Sequence, residues 1–175
     1  MDTKASQNLA NNKAIIFTDG SYNKNLRDMG GWAYAICRNG QNISTGSGYC
    51  TNTTPEEMEF SAVVHALISL GNTKHNVDIY SDCRFVCSMQ DEVNLTKCLY
   101  GKKGYCVDVD VFADLIRLCN FHNVSFHWIK GHADNKLNCY VDQLAKAATR
   151  IGYNKIYGPN YKGNNRRKRI EVKIC

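Results

Sequence analysis

Four carboxylates stand where chains ordinarily avoid a bare charge: Asp19 in Phe17-Thr-Asp-Gly-Ser21, Glu59 inside an apolar helical stripe, Asp82 after Val77-Asp-Ile-Tyr-Ser81, and Asp142 in Val141-Asp-Gln-Leu-Ala-Lys146. A histidine, His132 in Trp128-Ile-Lys-Gly-His132, precedes Asp142 by ten positions. Carboxylates gathered in one place repel each other and lose hydration, a cost that a hard divalent cation offsets most simply. Two Mg²⁺ ions about 3.5–4 Å apart can stabilise both the entering and the leaving oxygen of an in-line displacement at phosphorus. Three carboxylates could hold one ion; four suggest two. Each acid alone has a plainer reading: a turn residue for Asp19, a helix cap for Asp82, a solvated helix residue for Asp142, and half of a buried salt bridge for Glu59.

The elements that must carry these residues follow from pattern. Lys13 to Thr18 is a short apolar run, expected of a central strand ending at Asp19. Trp32 to Cys37 reads as a second strand, Arg38-Asn-Gly-Gln41 as a turn and Asn42 to Cys50 as a third strand, which together form an antiparallel meander. Thr54-Pro-Glu-Glu57 opens a helix, with Thr54 as N-cap, Pro55 at the first helical position and Glu57 closing a capping box. Its apolar face runs through Ala62, Val63, Ala66 and Leu70, and Glu59 belongs to that face. Val77 to Ser81 is a fourth strand, residues 83–90 a short helix, Val109 to Phe121 a further helix, Val124 to Ile129 a fifth strand and Asn138 to Arg150 the last helix. The order βββαβααβα predicts an α/β fold: a five-stranded mixed sheet, antiparallel then parallel, with helices on both faces. In it the first and fourth strands lie parallel and side by side, bringing Asp19 and Asp82 together at their carboxyl ends.

At 175 residues, 43% apolar, the chain suits one domain over residues 13–151, with a polar, disordered segment before it (1–12) and a basic tail after it (152–175). The first ten residues lack the apolar centre of a signal peptide, and no run spans a bilayer. Nine cysteines with no CxxC pair fit reduced thiols, and an intracellular protein of cytoplasm or nucleus is expected. The net charge of +6 is localised: residues 155–175 hold seven Lys/Arg against one acid. Arg166-Arg-Lys-Arg169 reads equally as a nucleic-acid-binding run or nuclear address and as a solvated terminus.

The residues also carry a resemblance. Phe-Thr-Asp-Gly-Ser (17–21), Met-Glu-Phe (58–60), Tyr-Ser-Asp (80–82), Trp-Ile-Lys-Gly-His-Ala (128–133) and Asp-Gln-Leu-Ala-Lys-Ala-Ala (142–148) resemble, in order, the motifs of ribonuclease H, type 1. The likeness runs from about residue 13 to 150 and includes Asn138, four before the last Asp. It implies the ribonuclease H-like fold and a metal-dependent endonuclease that hydrolyses RNA in RNA–DNA hybrids, leaving 5′-phosphate and 3′-hydroxyl ends. It further implies Mg²⁺, two ions per site with Mn²⁺ as a substitute, held by Asp19, Glu59, Asp82 and Asp142, with His132 assisting proton movement or product release. By the same resemblance Asn25 contacts the RNA strand and Thr54 a DNA phosphate. Tyr100-Gly-Lys-Lys-Gly-Tyr105 resembles a basic aromatic protrusion that grips DNA, so Tyr100, Lys102, Lys103 and Tyr105 are expected at the substrate, as are Arg84 and Asn138. A monomer acting on a hybrid duplex, with no membrane partner and no separate hybrid-binding domain, is expected.

There are departures: Pro55-Glu56 stands where the family often has amides that read 2′-hydroxyls, and Arg84 replaces a smaller polar residue. Two rival functions keep the fold: a non-catalytic nucleic-acid-binding module, and a DNA-directed nuclease such as a junction resolvase or transposase core. The intact acid set argues against the first, and the Gly131-His-Ala133 loop with the protrusion against the second. Host and viral or retroelement origins stay open. His65 and His127 read as packed residues, and Cys119 with His122 lacks a second pair for zinc.

Overall fold

In the computed structural model of the chain, residues 13–38, 42–90, 108–131 and 135–159 are described. Five strands, β1 (Lys13–Asn23), β2 (Met29–Arg38), β3 (Asn42–Cys50), β4 (Asn76–Ser81) and β5 (Asn123–Trp128), form one sheet of order β3-β2-β1-β4-β5. The first three pair antiparallel, while β1–β4 and β4–β5 pair parallel, as the element order requires. The helices are α1 (Pro55–Ser69), the single turn α2 (Arg84–Cys87), α3 (Val109–Phe121) and α4 (Lys136–Tyr157).

Alternation along β1 divides the core. Ala14 and Ile16 face α1 and α3, joining Val63, Leu67, Phe112 and Leu115 in the larger cluster, whereas Phe17 faces α4 with Ala33, Ala35, Val141 and Ala145. Phe60, fully buried, sits among Phe85 and Phe112; emptying such a site costs about 3–5 kcal/mol. The cap of α1 forms as expected: the Thr54 side chain accepts from the Glu57 N–H at 3.2 Å, a contact of about 1 kcal/mol. No described helix is long and apolar enough to cross a membrane.

Several boundaries differ from the sequence pattern. β1 does not end at Asp19 but continues to Asn23, because β2 begins at Met29 and pairs with it along its whole length. What ends near Asp19 is the pairing with β4, whose last register pair is Phe17–Tyr80. The last helix starts two residues before Asn138 and runs to Tyr157, past the expected helix end at Arg150, and Gly158 stops it with φ +80°. In its added turns Gly152 is buried against Tyr49 of β3, and Arg27 lies over the Tyr157 ring.

Candidate active site

Asp19 stands two residues beyond Phe17, and Asp82 two beyond Tyr80, where β1 and β4 stop pairing. Phe17 and Tyr80 stack with ring centroids 5.2 Å apart. A two-residue step keeps a side chain on the same face of an extended strand, so the two carboxylates stay neighbours at the mouth opened by the diverging strands. Glu59 comes from α1, on the opposite side. Gly20 lets it in: a Cβ there would lie 2.6 Å from the Glu59 backbone nitrogen, so only glycine allows α1 to pack this tightly on β1.

Asp19, Glu59 and Asp82 converge so that one carboxylate oxygen of each lies within 4.8 Å of the others. Burial, first, and then the charges of Asp82 and Asp142 push Asp19 up to about 8. Glu59 is held well above the usual carboxylate range by burial first and by Asp19 and Asp82 next. Its Oε2 is buried with no hydrogen-bond partner, which removes the salt-bridge reading of that residue. The negative field reaches further: Cys83 is pushed up to about 12, chiefly by burial and then by Glu59. Hard oxygen donors, an orphaned buried acceptor and no compensating cation among the described residues are what a divalent metal ion would satisfy, and the donor set fits Mg²⁺ or Mn²⁺.

Asp142 is near this cluster without joining the close triad. Its charge and a hydrogen bond shared with Asp19 help to raise Asp19, while its own oxygens meet Lys146, one turn on, at 2.7 Å and 2.8 Å. Asp82 caps nothing: Cys83 is the N-cap of α2 and makes no side-chain cap bond. The Asp82 carboxylate is instead free to face Asp19 and is steered from two sides. Asn138 donates from Nδ2 to Asp82 Oδ2 at 3.4 Å. On the other side a Cβ at Gly131 would fall 2.5 Å from that oxygen, so the bare glycine leaves the space it occupies.

The substrate residues expected from sequence are placed unevenly. Asn25 is exposed in the 3₁₀ turn Lys24–Leu26, its N–H donating to the Asn23 side chain, and Thr54 is partly exposed at the start of α1. Asn138 is buried, 2% exposed, with its amide donating to Asp82. Arg84 is exposed but lies over the Trp128 indole, 4.6 Å from the ring centroid. His132, Tyr100, Lys102, Lys103 and Tyr105 lie outside the described residues. His65 packs as expected, stacked on Trp32 at 3.9 Å. His127 packs too, stacked on Tyr80 at 4.8 Å, but its side chain stays half-exposed and its Nε2 meets Asp78 at 3.1 Å. Sequence reasoning missed Gly131 and Trp128 as parts of the site; the only signal was their place in the run ending at His132.

With this geometry in hand, comparisons with known proteins are specific. The family model described as RNase H matches residues 11–150. Ribonuclease H of Desulforamulus reducens is 32% identical over 155 residues, covering 86% of this chain and 94% of that protein. Ribonuclease H of Ehrlichia canis is 34% identical over 143 residues, covering 78% and 94%. Among solved structures, LC9-RNase H1, a type 1 RNase H with the type 2 active-site motif, superposes with TM-score 0.65 at 22% identity over 78% of this chain and 72% of that one. A foamy viral protease-reverse transcriptase in complex with RNA/DNA hybrid superposes with TM-score 0.67 at 16% identity over 82% of this chain and 21% of that one.

Proposed function

This chain belongs to the ribonuclease H family and is an RNA–DNA hybrid ribonuclease, and on that premise we propose that it cuts the RNA strand internally by a two-metal-ion reaction that leaves 5′-phosphate and 3′-hydroxyl ends. The observation that carries the reading is the close, unneutralised triad of Asp19, Glu59 and Asp82. Bound Mg²⁺ would supply Lewis-acid stabilisation of charge on the entering and leaving oxygens.

The protein's own groups do the rest. Asp19, Glu59 and Asp82 would hold the metal, and Asp142 would complete the set from α4 beside Asp19. Lys146 tethers the Asp142 carboxylate from one turn along α4 while Asp142 shares a hydrogen bond with Asp19. Asn138 and the space at Gly131 aim Asp82. His132 would take or give a proton near the leaving group, suited to the task by an ordinary pKa near 6.5. Asn25 and Thr54 stand at the same end of the sheet, one after β1 and the other after β3, and would take the RNA strand and a DNA phosphate respectively. A foamy viral enzyme of this fold has been seen with RNA/DNA hybrid, which supports a hybrid as partner here. Lys102 and Lys103 would add salt-sensitive phosphate contacts.

The test is cleavage of end-labelled RNA in hybrid, single-stranded RNA, double-stranded RNA and double-stranded DNA, with Mg²⁺, Mn²⁺ or chelator. Metal-dependent cutting of RNA only in the hybrid, with 5′-phosphate and 3′-hydroxyl products and lost in Asp82→Asn, is expected. Wild-type-like turnover by Asp82→Asn would break the metal-site reading.

A further inference from the structure

Trp128 ends β5 and is 46% exposed, an unusual place for an indole, and it makes two contacts there. Its Nε1–H donates to the main-chain carbonyl of Asp82 at 3.0 Å, and its ring face carries the Arg84 guanidinium at 4.6 Å. The setting explains why a side chain is used. The final rung between β5 and β4 is the Ile129 N–H donating to the Ser81 carbonyl at 3.0 Å. Beyond it the chain leaves the sheet for α2, with the Cys83 N–H turned back to Ser81 Oγ at 3.0 Å. The carbonyl of Asp82 therefore has no strand neighbour to pair with, and the indole N–H takes that place.

We propose that Trp128 is a positioning residue for metal binding: by holding the Asp82 carbonyl it fixes the direction in which the Asp82 carboxylate points into the triad. The inference rests on the reading of Asp82 as a metal ligand. The Ser81 rung fixes the peptide plane entering Asp82, and the indole fixes the plane leaving it. With both planes held, the Cα–Cβ direction is set, and Asn138 and the Gly131 space then select where Oδ2 lies. Arg84 contributes by stacking: a cation over the outer face keeps the indole plane from rotating away from the carbonyl. An aromatic ring of any kind would carry that stack, but only a ring N–H holds the carbonyl.

The experiment measures Mn²⁺ affinity by calorimetry on wild type, Trp128→Phe, a chain with 3-benzothienylalanine at position 128, and Asp82→Asn, alongside thermal melting in chelator. The benzothienyl ring matches indole in size and lacks only the N–H, so it decides the question if Trp128→Phe folds poorly. Outer-sphere partners of metal ligands are worth about 10- to 100-fold in affinity. Acting through the main chain and not on the carboxylate itself, Trp128 should give an effect at or below the foot of that range: Mn²⁺ binding weaker by about three- to tenfold in both Trp128 replacements, with kcat lowered and the KM for hybrid unchanged. A wild-type protein that takes up no Mn²⁺ would overturn the metal reading of Asp82 and this inference with it. Mn²⁺ binding in wild type that is equal in the benzothienylalanine chain would overturn this inference alone.

Discussion

Asp78, in the first half of β4, and Asp82, one residue beyond its end, lie four residues apart, and the protein treats them oppositely. Asp78 takes Lys13 Nζ at 2.9 Å and His127 Nε2 at 3.1 Å, and the Lys13 hydrogen bond leads in holding its carboxyl below the usual range. Asp82 faces Asp19 and Glu59, and no Lys, Arg or His among the described residues pairs with any of the three. An acid with its own cations is finished within the protein; acids that only repel one another are completed by something from solution. Asp142 stands between these cases, touching Asp19 while tethered to Lys146.

The comparison breaks most visibly if the two kinds of acid respond alike to neutralisation. Asp19→Asn should reduce hybrid cleavage by more than the about 100-fold that outer-sphere changes reach, while raising the melting temperature in chelator, since it removes the cost of burying and protonating a carboxyl beside other acids. Steady-state cleavage and melting check both, and a destabilised but active variant would contradict the assignment. Next in size is Gly131→Ala. The glycine has no positive φ, so the backbone accepts alanine, yet the new Cβ would force Asp82 Oδ2 aside. A loss of about tenfold or more in kcat, with melting in chelator nearly unchanged, is expected; cleavage at the wild-type rate would mean that the position of Oδ2 does not matter.

The same comparison predicts opposite pH dependences. In the metal-free protein Asp19 rises to about 8 from an ordinary value of 3.8, so between those values the folded state holds the extra proton and stability falls as pH rises. Asp78 is depressed, so its contribution is present above the ordinary value and is lost as pH falls through the folded one. Relative to Asp19→Asn, the wild type should therefore lose melting temperature in chelator from about pH 5 to 8. The smallest effect is that of Asp78→Asn. A half-exposed pair contributes little, so melting should fall by a few degrees at most and cleavage should hold. A large loss of cleavage in this variant would erase the distinction between the two regions.

Much of this was legible in the chain because local chemistry and tertiary structure agree. Thr54, Pro55 and Glu57 announce α1, and α3 spans Val109–Phe121 as its amphipathic pattern indicates. The four acids were found through their odd company of apolar neighbours. What stayed hidden depends on distant partners. Ser21 to Asn23 has no strand pattern, and its place in β1 is set by pairing with Met29 to Gly31. Gly152 costs a helix about 1 kcal/mol relative to alanine, which argues for an earlier stop, but its bare Cα admits Tyr49 and the helix continues. The partner of the Trp128 indole is a carbonyl 46 residues away, which no local pattern encodes. Asn138 likewise looks like a surface amide until its burial against Asp82 is seen.

The most direct test of the central claim is melting at about pH 8, where Asp19 would begin to shed its proton, with chelator and with millimolar Mg²⁺, for wild type and Asp19→Asn. The account predicts that Mg²⁺ raises the wild-type melting temperature by several degrees and leaves that of Asp19→Asn almost where it was. Equal melting of the wild type with and without Mg²⁺ would show that the carboxylate triad does not draw a metal ion from solution.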